Sequence, residues 1–226
     1  MYKRQNSRSI HYSNGNIIWA TSLANVQGQF ITSYVAIPVV AEQSIYQNFA
    51  ELGSTTVQEF VPNDIQPARD PGFGFGIVGT YSVLTDGSKA NIFFLRVNSD
   101  GSIVSGSDVY FDGIDSFTGS AIDKNNSSIV DDGQALTSTK DGGYLLAGII
   151  TTNPAKGNGG KDVFLIKVDA IGNKIWAKTF GGVGDEDVSG VRETSDGYFL
   201  VCGTNTIGGY STVFLMKIDQ DGNLTN

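Results

Sequence analysis

One stretch of this chain is written more than once. Residues 162–172 read DVFLIKVDAIG, and residues 212–222 read TVFLMKIDQDG, displaced by 50 positions. A third copy, NIFFLRVNSDG at 91–101, lies 71 positions before the first. Upstream of these sit DGGYLLAG (141–148), DGYFLVCG (196–203) and the looser GFGFGIVG (72–79). Before those come DDGQALTSTK (131–140) and DEDVSGVRETS (185–195), which share an acidic start, an apolar pair and a Thr two residues before the DG turn. A last element follows: GNKIWAKTF (172–180), GNIIWATSL (15–23), the degenerate GSIVS (101–105), and a copy that begins at 223–226. Self-similarity at a fixed period marks a repeat architecture, and a period near 50 suits one four-stranded unit.

The repeat reads as strand a, a DG turn, strand b, a variable loop, strand c, a DG or GN turn, and strand d. Gly and Asn supply the positive φ that such hairpin turns demand. Strands b and c (YLLAGII, YFLVCGT, VFLIKV) are nearly continuous apolar runs, where a half-exposed sheet would alternate. They are therefore expected to be covered on both faces, as when four-stranded antiparallel sheets stack in a β-propeller. A β-sandwich and a β-solenoid are the competing readings. The fold class expected is all-β, a propeller of four-stranded antiparallel blades forming an incomplete ring.

The copies divide the chain. Residues 1–8 are expected to be an artefactual or disordered start, since MYKRQ reads back as GTG-TAT-AAG-AGA-CAG, which resembles a transposon-end tag. Residues 9–23 read as the end of a preceding blade and 24–56 as an irregular insertion. Residues 57–105 read as a divergent blade, 106–180 as a complete blade with a long lead-in loop, and 181–226 as a blade lacking most of its last strand. On this count the chain is a fragment, and further blades belong to the same natural chain. Trp19 and Trp176 share a repeat position, as do Gly148 and Gly203, and Phe164 and Phe214; all six are expected to be structural.

Composition removes several functions. The net charge of -8 disfavours a phosphate backbone as partner, so no nucleic acid is expected. No apolar run approaches the about 18 residues of a membrane helix. One cysteine, Cys202, and one histidine, His11, rule out an intrachain disulfide and a Cys/His zinc site. No cofactor and no metal are expected. The run 219–223 (DQDGN) looks like a calcium loop but lacks the later bidentate Glu, and a plain hairpin turn is the simpler reading.

At T-x-D-G-G-Y and D-φ-φ-φ-x-K-φ-D-x-x-G-N-φ-x-W, the sequence resembles the bacterial β-propeller repeats of secreted and surface lipoproteins. The match is strong over 139–182 and 194–223, partial over 70–105 and 15–23, and absent from 24 to about 60. The resemblance implies an exported or cell-surface protein, its signal sequence missing through truncation, and a ring of blades. It implies no reaction, because the motif residues are turn and core residues, and a fold does not settle a function.

The b–c loops and d–a connections vary in length and emerge on one edge, which marks the binding face. Candidate ligand-face residues there are Asp131, Asp132, Asp185, Glu186, Asp187 and Tyr210. The acids lead into strand a, the innermost strand, near the central channel. Lys167, Lys217 and Arg96 recur in strand c and are expected to snorkel or to pair with a strand-start Asp. The leading expectation is a non-catalytic module that binds glycan or protein through its loops. The alternatives are a carbohydrate-active enzyme using channel carboxylates as acid and base, and a structural spacer of a larger adhesin.

Overall fold

The computed structural model describes residues 6–13, 16–24, 30–38, 45–48, 58–70, 74–83, 91–99, 103–107, 109–111, 131–151 and 160–225. Among them are fifteen strands and no helix. The first sheet comprises β1 (Asn6–Ser13), β2 (Asn16–Ala24), β3 (Phe30–Pro38) and β4 (Ile45–Asn48). The second comprises β5 (Gln58–Pro67), β6 (Phe75–Val83), β7 (Asn91–Val97) and β8 (Val109–Phe111). The third comprises β9 (Asp131–Ser138), β10 (Tyr144–Thr151), β11 (Lys161–Val168) and β12 (Lys174–Phe180). The fourth has β13 (Asp185–Glu193), β14 (Phe199–Ile207) and β15 (Tyr210–Ile218), with Leu224 bridging back to Ile218. Every sheet is an antiparallel meander in chain order. The arrangement is propeller-like, and the sheets do not close into a ring.

The turns form as their residues require. In the β9–β10 turn Thr139 N–H donates to Gly143 O at 2.9 Å, and Gly142 takes φ 87°, a region a side chain would resist. The 194–198 turn repeats this, with Thr194 N–H donating to Tyr198 O at 2.8 Å. The DQDGN run is a hairpin turn. Asp219 Oδ1 accepts from the N–H groups of Asp221 (3.0 Å) and Asn223 (2.7 Å), as Asp169 does from Ile171 and Asn173.

The register makes the copies superimposable. Gly79, Gly148 and Gly203 pair with Pro62, Gly133 and Val188, and each first strand bulges just after that pair. A Cβ on Gly148 would lie 2.4 Å from Asp132 O, and one on Gly203 would lie 1.9 Å from Asp187 O. The bulge brings the backbones that close, so only glycine fits. Phe93, Phe164 and Phe214 then pair with these glycines.

Two cores lie between sheets. Ile92 and Phe94 of β7 pack with Leu136, Tyr144, Leu146, Phe164 and Ile166 of the third sheet. Leu145, Ala147, Val163 and Leu165 of that sheet pack on Val188, Val191, Phe199, Val201 and Ile218 of the fourth. β10 and β11 are thus buried on both faces, and β5, β9 and β13, the first strands, meet successively. Complete burial of one side chain such as Phe164 contributes about 1.5–3 kcal/mol.

The N-terminal region differs from expectation. Residues 24–56, read as an irregular insertion, supply β3 and β4, which pair with the hairpin 6–24 in one sheet. That hairpin is therefore the first half of a sheet, not the tail of a preceding one. The segment FITSYVAIP carries β-branched and aromatic residues that suit a strand, but its turns lack the repeat's DG and GN signals. Residues 1–5 lie outside the described residues, as do the side chains of the whole first sheet, Trp19 in β2 included.

Candidate functional site

The bulged first strands begin at one edge, where β10 and β11 and β14 and β15 are also joined. Asp131 and Asp132 open β9 opposite Ile150 and Ile149; Asp185, Glu186 and Asp187 open β13 opposite Thr206, Asn205 and Thr204. Tyr210 opens β15 opposite Ile207 and is 82% exposed. All six candidate residues thus share this edge. The connecting segments 84–90, 112–130 and 152–159 lie outside the described residues.

Within the edge, two carboxyl centres form, one on each side of the third sheet. The first is Asp132. Asn63 Nδ2, from the β5 bulge, donates to its Oδ1 at 3.0 Å, and Thr80 Oγ1 of β6 donates to the same oxygen. Gln134 Nε2, from the β9 bulge, donates to Oδ2. Asn63 also donates to Gly133 O at 2.7 Å. Three neutral donors from two sheets therefore fix one carboxylate. Asn63 and Gln134 are presented by equivalent bulges, which turn a strand residue out of register toward the neighbouring sheet.

The second centre joins Glu186 of β13 to Asp162 of β11. Both are buried, and the Asp162 carboxyl lies close enough to act on Glu186. Gly182 N–H donates to Glu186 Oε2 at 3.2 Å. Burial raises Glu186 above its ordinary value of 4.5; the Gly182 bond opposes this, and the neighbouring Asp162 and Asp185 reinforce it. A Cβ on Gly181 would lie 1.8 Å from Asp162 Oδ1 and 2.7 Å from Glu186 Oε2, so the chain passes directly over the pair. Asp185 Oδ1 accepts from Lys161 N–H at 3.1 Å and closes the same corner.

The remaining candidates stay apart from these centres. Asp131 is buried at the end of β9. Asp187 alternates away from Glu186, exposed on the far face of the last sheet. No described contact brings Tyr210 to an acid. Sequence reasoning missed Asn63, Thr80, Gln134 and Asp162. The available signal was a polar residue at a position that other copies leave apolar or vary: Asp162 stands where Thr212 and Asn91 stand in the other copies.

The opposite edge is structural. Lys167, 2% exposed, donates from Nζ to Asp141 Oδ2 at 2.7 Å. Lys217 reaches Asp196 at 3.3 Å and lies 3.9 Å above the Tyr198 ring centroid. The strand-c lysines therefore pair with the acid of the a–b turn, not with a strand-start Asp, because antiparallel pairing brings the end of strand c beside that turn. Arg96 instead donates to Ala170 O. Trp176 packs between the third and fourth sheets. Among the described residues no group of three or more His, Cys, Asp or Glu is arranged to hold a metal ion, and no helix is long and apolar enough to cross a membrane.

No family model and no curated protein matches the chain. Solved structures do. A xylan β-1,4-xylosidase from Bacillus halodurans C-125 is similar over 95% of this chain and 42% of its own, at TM-score 0.50 and 16% identity. A thermostable family-43 glycoside hydrolase is similar over 95% of this chain and 72% of its own (TM-score 0.47, 14% identity). An α-L-arabinofuranosidase from Lactobacillus brevis covers 95% and 73% (TM-score 0.48, 11% identity). The chain thus spans less than half the length of the xylosidase. At these identities the likeness concerns the fold. The expectation of a non-catalytic binding module is corrected only to this extent: the three structures named are glycoside hydrolases, which fits the enzyme alternative better, while a Pyrococcus horikoshii acylaminoacyl peptidase is similar over 95% of this chain and 33% of its own (TM-score 0.43, 9% identity). The repeat motif implied no reaction because most of its residues build turns and core; of the acids in the two centres only Asp162 belongs to it.

Proposed function

We propose that the chain is part of a carbohydrate-active, glycoside hydrolase-like propeller enzyme that works at its loop edge. The observation that carries this reading is the contrast between two carboxyl groups on neighbouring first strands. Asp132 accepts three hydrogen bonds and is a fixed acceptor. Glu186 is raised above its ordinary value by burial and by the adjacent Asp162 and Asp185, the direction that a proton-donating acid requires. Glycoside hydrolysis needs such a division: one carboxylic acid protonates the departing oxygen, and one carboxylate acts as base or nucleophile. By its surroundings Asp132 suits the second role and Glu186 the first, each considered singly because the third sheet lies between them. The similarity to a fold that carries a xylan β-1,4-xylosidase supports a saccharide as substrate.

The incomplete ring belongs to the same proposal, as does the resemblance to secreted and surface repeat proteins. The site would then act on glycans outside the cell, with further blades of the same natural chain beside it.

The test is turnover on a panel of aryl glycosides and plant polysaccharides. Measurable hydrolysis is expected, abolished by Asp132→Asn and by Glu186→Gln, while Asp187→Asn retains it. Absence of turnover across the panel, or full activity in both site variants, overturns the reading.

A further inference from the structure

The first strands of the second, third and fourth sheets each bulge by one residue, and the extra residue is Asn63 in β5, Gln134 in β9 and Ser189 in β13. A bulge takes its extra residue out of the ladder and re-aims the side chain. Asn63 is aimed across the gap between the second and third sheets. Its Nδ2 donates to Asp132 Oδ1 at 3.0 Å and to Gly133 O at 2.7 Å, so one amide group grips both the carboxylate and the backbone beside it. Thr80 Oγ1 of β6 donates to the same carboxylate oxygen and lies 3.5 Å from the Asn63 amide nitrogen. The two sheets touch at this point: a Cβ on Gly133 would lie 2.7 Å from Gly79 O. Both donors therefore stand on a backbone that cannot draw back.

The other donor to Asp132 is of a different kind. Gln134 reaches it from two positions along the same strand, through a side chain with one torsion more than Asn63. The fourth sheet supplies an internal comparison. Asp187 immediately precedes the partner of Gly203, as Asp132 immediately precedes the partner of Gly148. The bulge residue of the sheet before it is Gln134, which turns back to Asp132 rather than on to Asp187, and Asp187 is exposed. An acid at this repeat position is thus gripped from the preceding sheet where that sheet's bulge carries Asn63.

We infer that Asn63, with Thr80 beside it, is a positioning residue of the reaction: it acts through Asp132, holding that carboxylate in one orientation while touching no reacting atom itself. A carboxylate ordered in advance by fixed donors does not have to be ordered in the transition state. The inference rests on the hydrolase reading of Asp132, and it adds that the second sheet takes part in the reaction.

Steady-state kinetics test it, on the aryl glycoside that the parent hydrolyses fastest. Asn63→Ala should lower kcat on the order of 100-fold, the scale of a slight misplacement of a reacting group, and should leave KM within about twofold. Thr80→Val should lower kcat in the same manner, and Thr80→Ser, which restores the hydroxyl, should return it. Ser189→Ala, at the equivalent bulge of β13, should keep the parent's kcat. Melting temperatures show which variants are folded, and if Asn63→Ala is not, the Thr80 pair decides. Folded Asn63 and Thr80 variants that keep the parent's kcat, or that raise KM alone, overturn the inference and leave the hydrolase reading standing. An equal loss of kcat in Ser189→Ala overturns it as well, since the effect would then belong to any bulge. A parent without turnover removes the hydrolase reading and this inference with it.

Discussion

The indole Nε1–H of Trp176 donates to the carbonyl oxygen of Gln220 at 2.9 Å. A strand at the outer edge of the third sheet is thereby tied to a turn of the fourth. The ring also lies against Gly222, where an added Cβ would sit 3.0 Å from it, and joins Phe180, Phe214 and Met216 at the margin of the inter-sheet core. Trp176→Ala removes this packing and the bond together. Because the indole is only partly buried, the expected loss is about 2–3 kcal/mol, below the 3–5 of a fully enclosed aromatic. Trp176→Phe should keep most of the packing and lose about 1 kcal/mol for the bond. Urea unfolding of the three proteins measures both.

Two glycines of the third sheet make a contrast between crowding and backbone strain. At Gly148 an added methyl meets Asp132 O at 2.4 Å, whereas Gly142 has open space around it and a φ of 87°. Gly148→Ala should cost about 3 kcal/mol, at the upper end of overpacking, and should also disturb the strand that carries Asp132. Gly142→Ala should cost only about 1 kcal/mol, from the left-handed backbone alone. Thermal unfolding of the two variants should rank them in that order; the reverse order would mean that the bulge is not tightly packed.

Much of the fold was legible because the same physical demands recur. Gly148 and Gly203 match in sequence because both strands approach a bulge, and Phe164 and Phe214 match because both fill the space before the preceding sheet. The DG turns match because each needs an acid and a positive φ. The sheet at 6–48 was half missed: β3 and β4 form from general strand propensity without those turn signals. The carboxyl centres were legible only as acids at an edge. Their partners belong to different sheets: Asn63 reaches Asp132 across 69 positions, and nothing in either copy alone announces the meeting.

Glu186 has a pH dependence of definite sign. Its carboxyl is raised above 4.5 by burial and then by Asp162 and Asp185, so the folded state favours its protonated form. The stabilisation is complete below the unfolded value and is lost as pH rises through the raised folded value. Glu186→Gln keeps the neutral shape and should therefore be more stable than the parent at neutral pH, with the difference vanishing toward pH 4. Turnover by the parent should fall over the same rising-pH interval, because the acid loses its proton. Melting temperatures and rates measured across pH 4 to 8 should show both; a variant less stable than the parent at pH 7 would remove Glu186 from the role of a proton-holding acid.

Asp141 and Asp196 occupy the same turn position and hold the lysines of their strand c, yet they should differ in worth. Lys167 is 2% exposed and its partner Asp141 51%; Lys217 and Asp196 are 40% and 58% exposed. Burial raises the Asp141 carboxyl, but Lys167, Thr139 and Gly143 outweigh it and hold it below its ordinary value. Asp141 therefore contributes stability that is present above its unfolded value and lost as pH falls through the lowered folded one. Asp141→Ala strands a buried ammonium that retains Val168 O at 3.1 Å. With the acid itself half in water, the loss should be about 2 kcal/mol, short of the 3–5 that follows breaking a fully buried pair. Asp196→Ala leaves its lysine in solvent above Tyr198, and the loss should stay within about 1 kcal/mol, as for surface pairs. Raising salt to 1 M should shrink the Asp196 effect more than the Asp141 effect, because solvent ions screen exposed charges first. Equal losses at the two turns would mean that the cover of the fourth sheet over Lys167 adds nothing to its pair, and that the burial difference between these repeat positions has no energetic consequence.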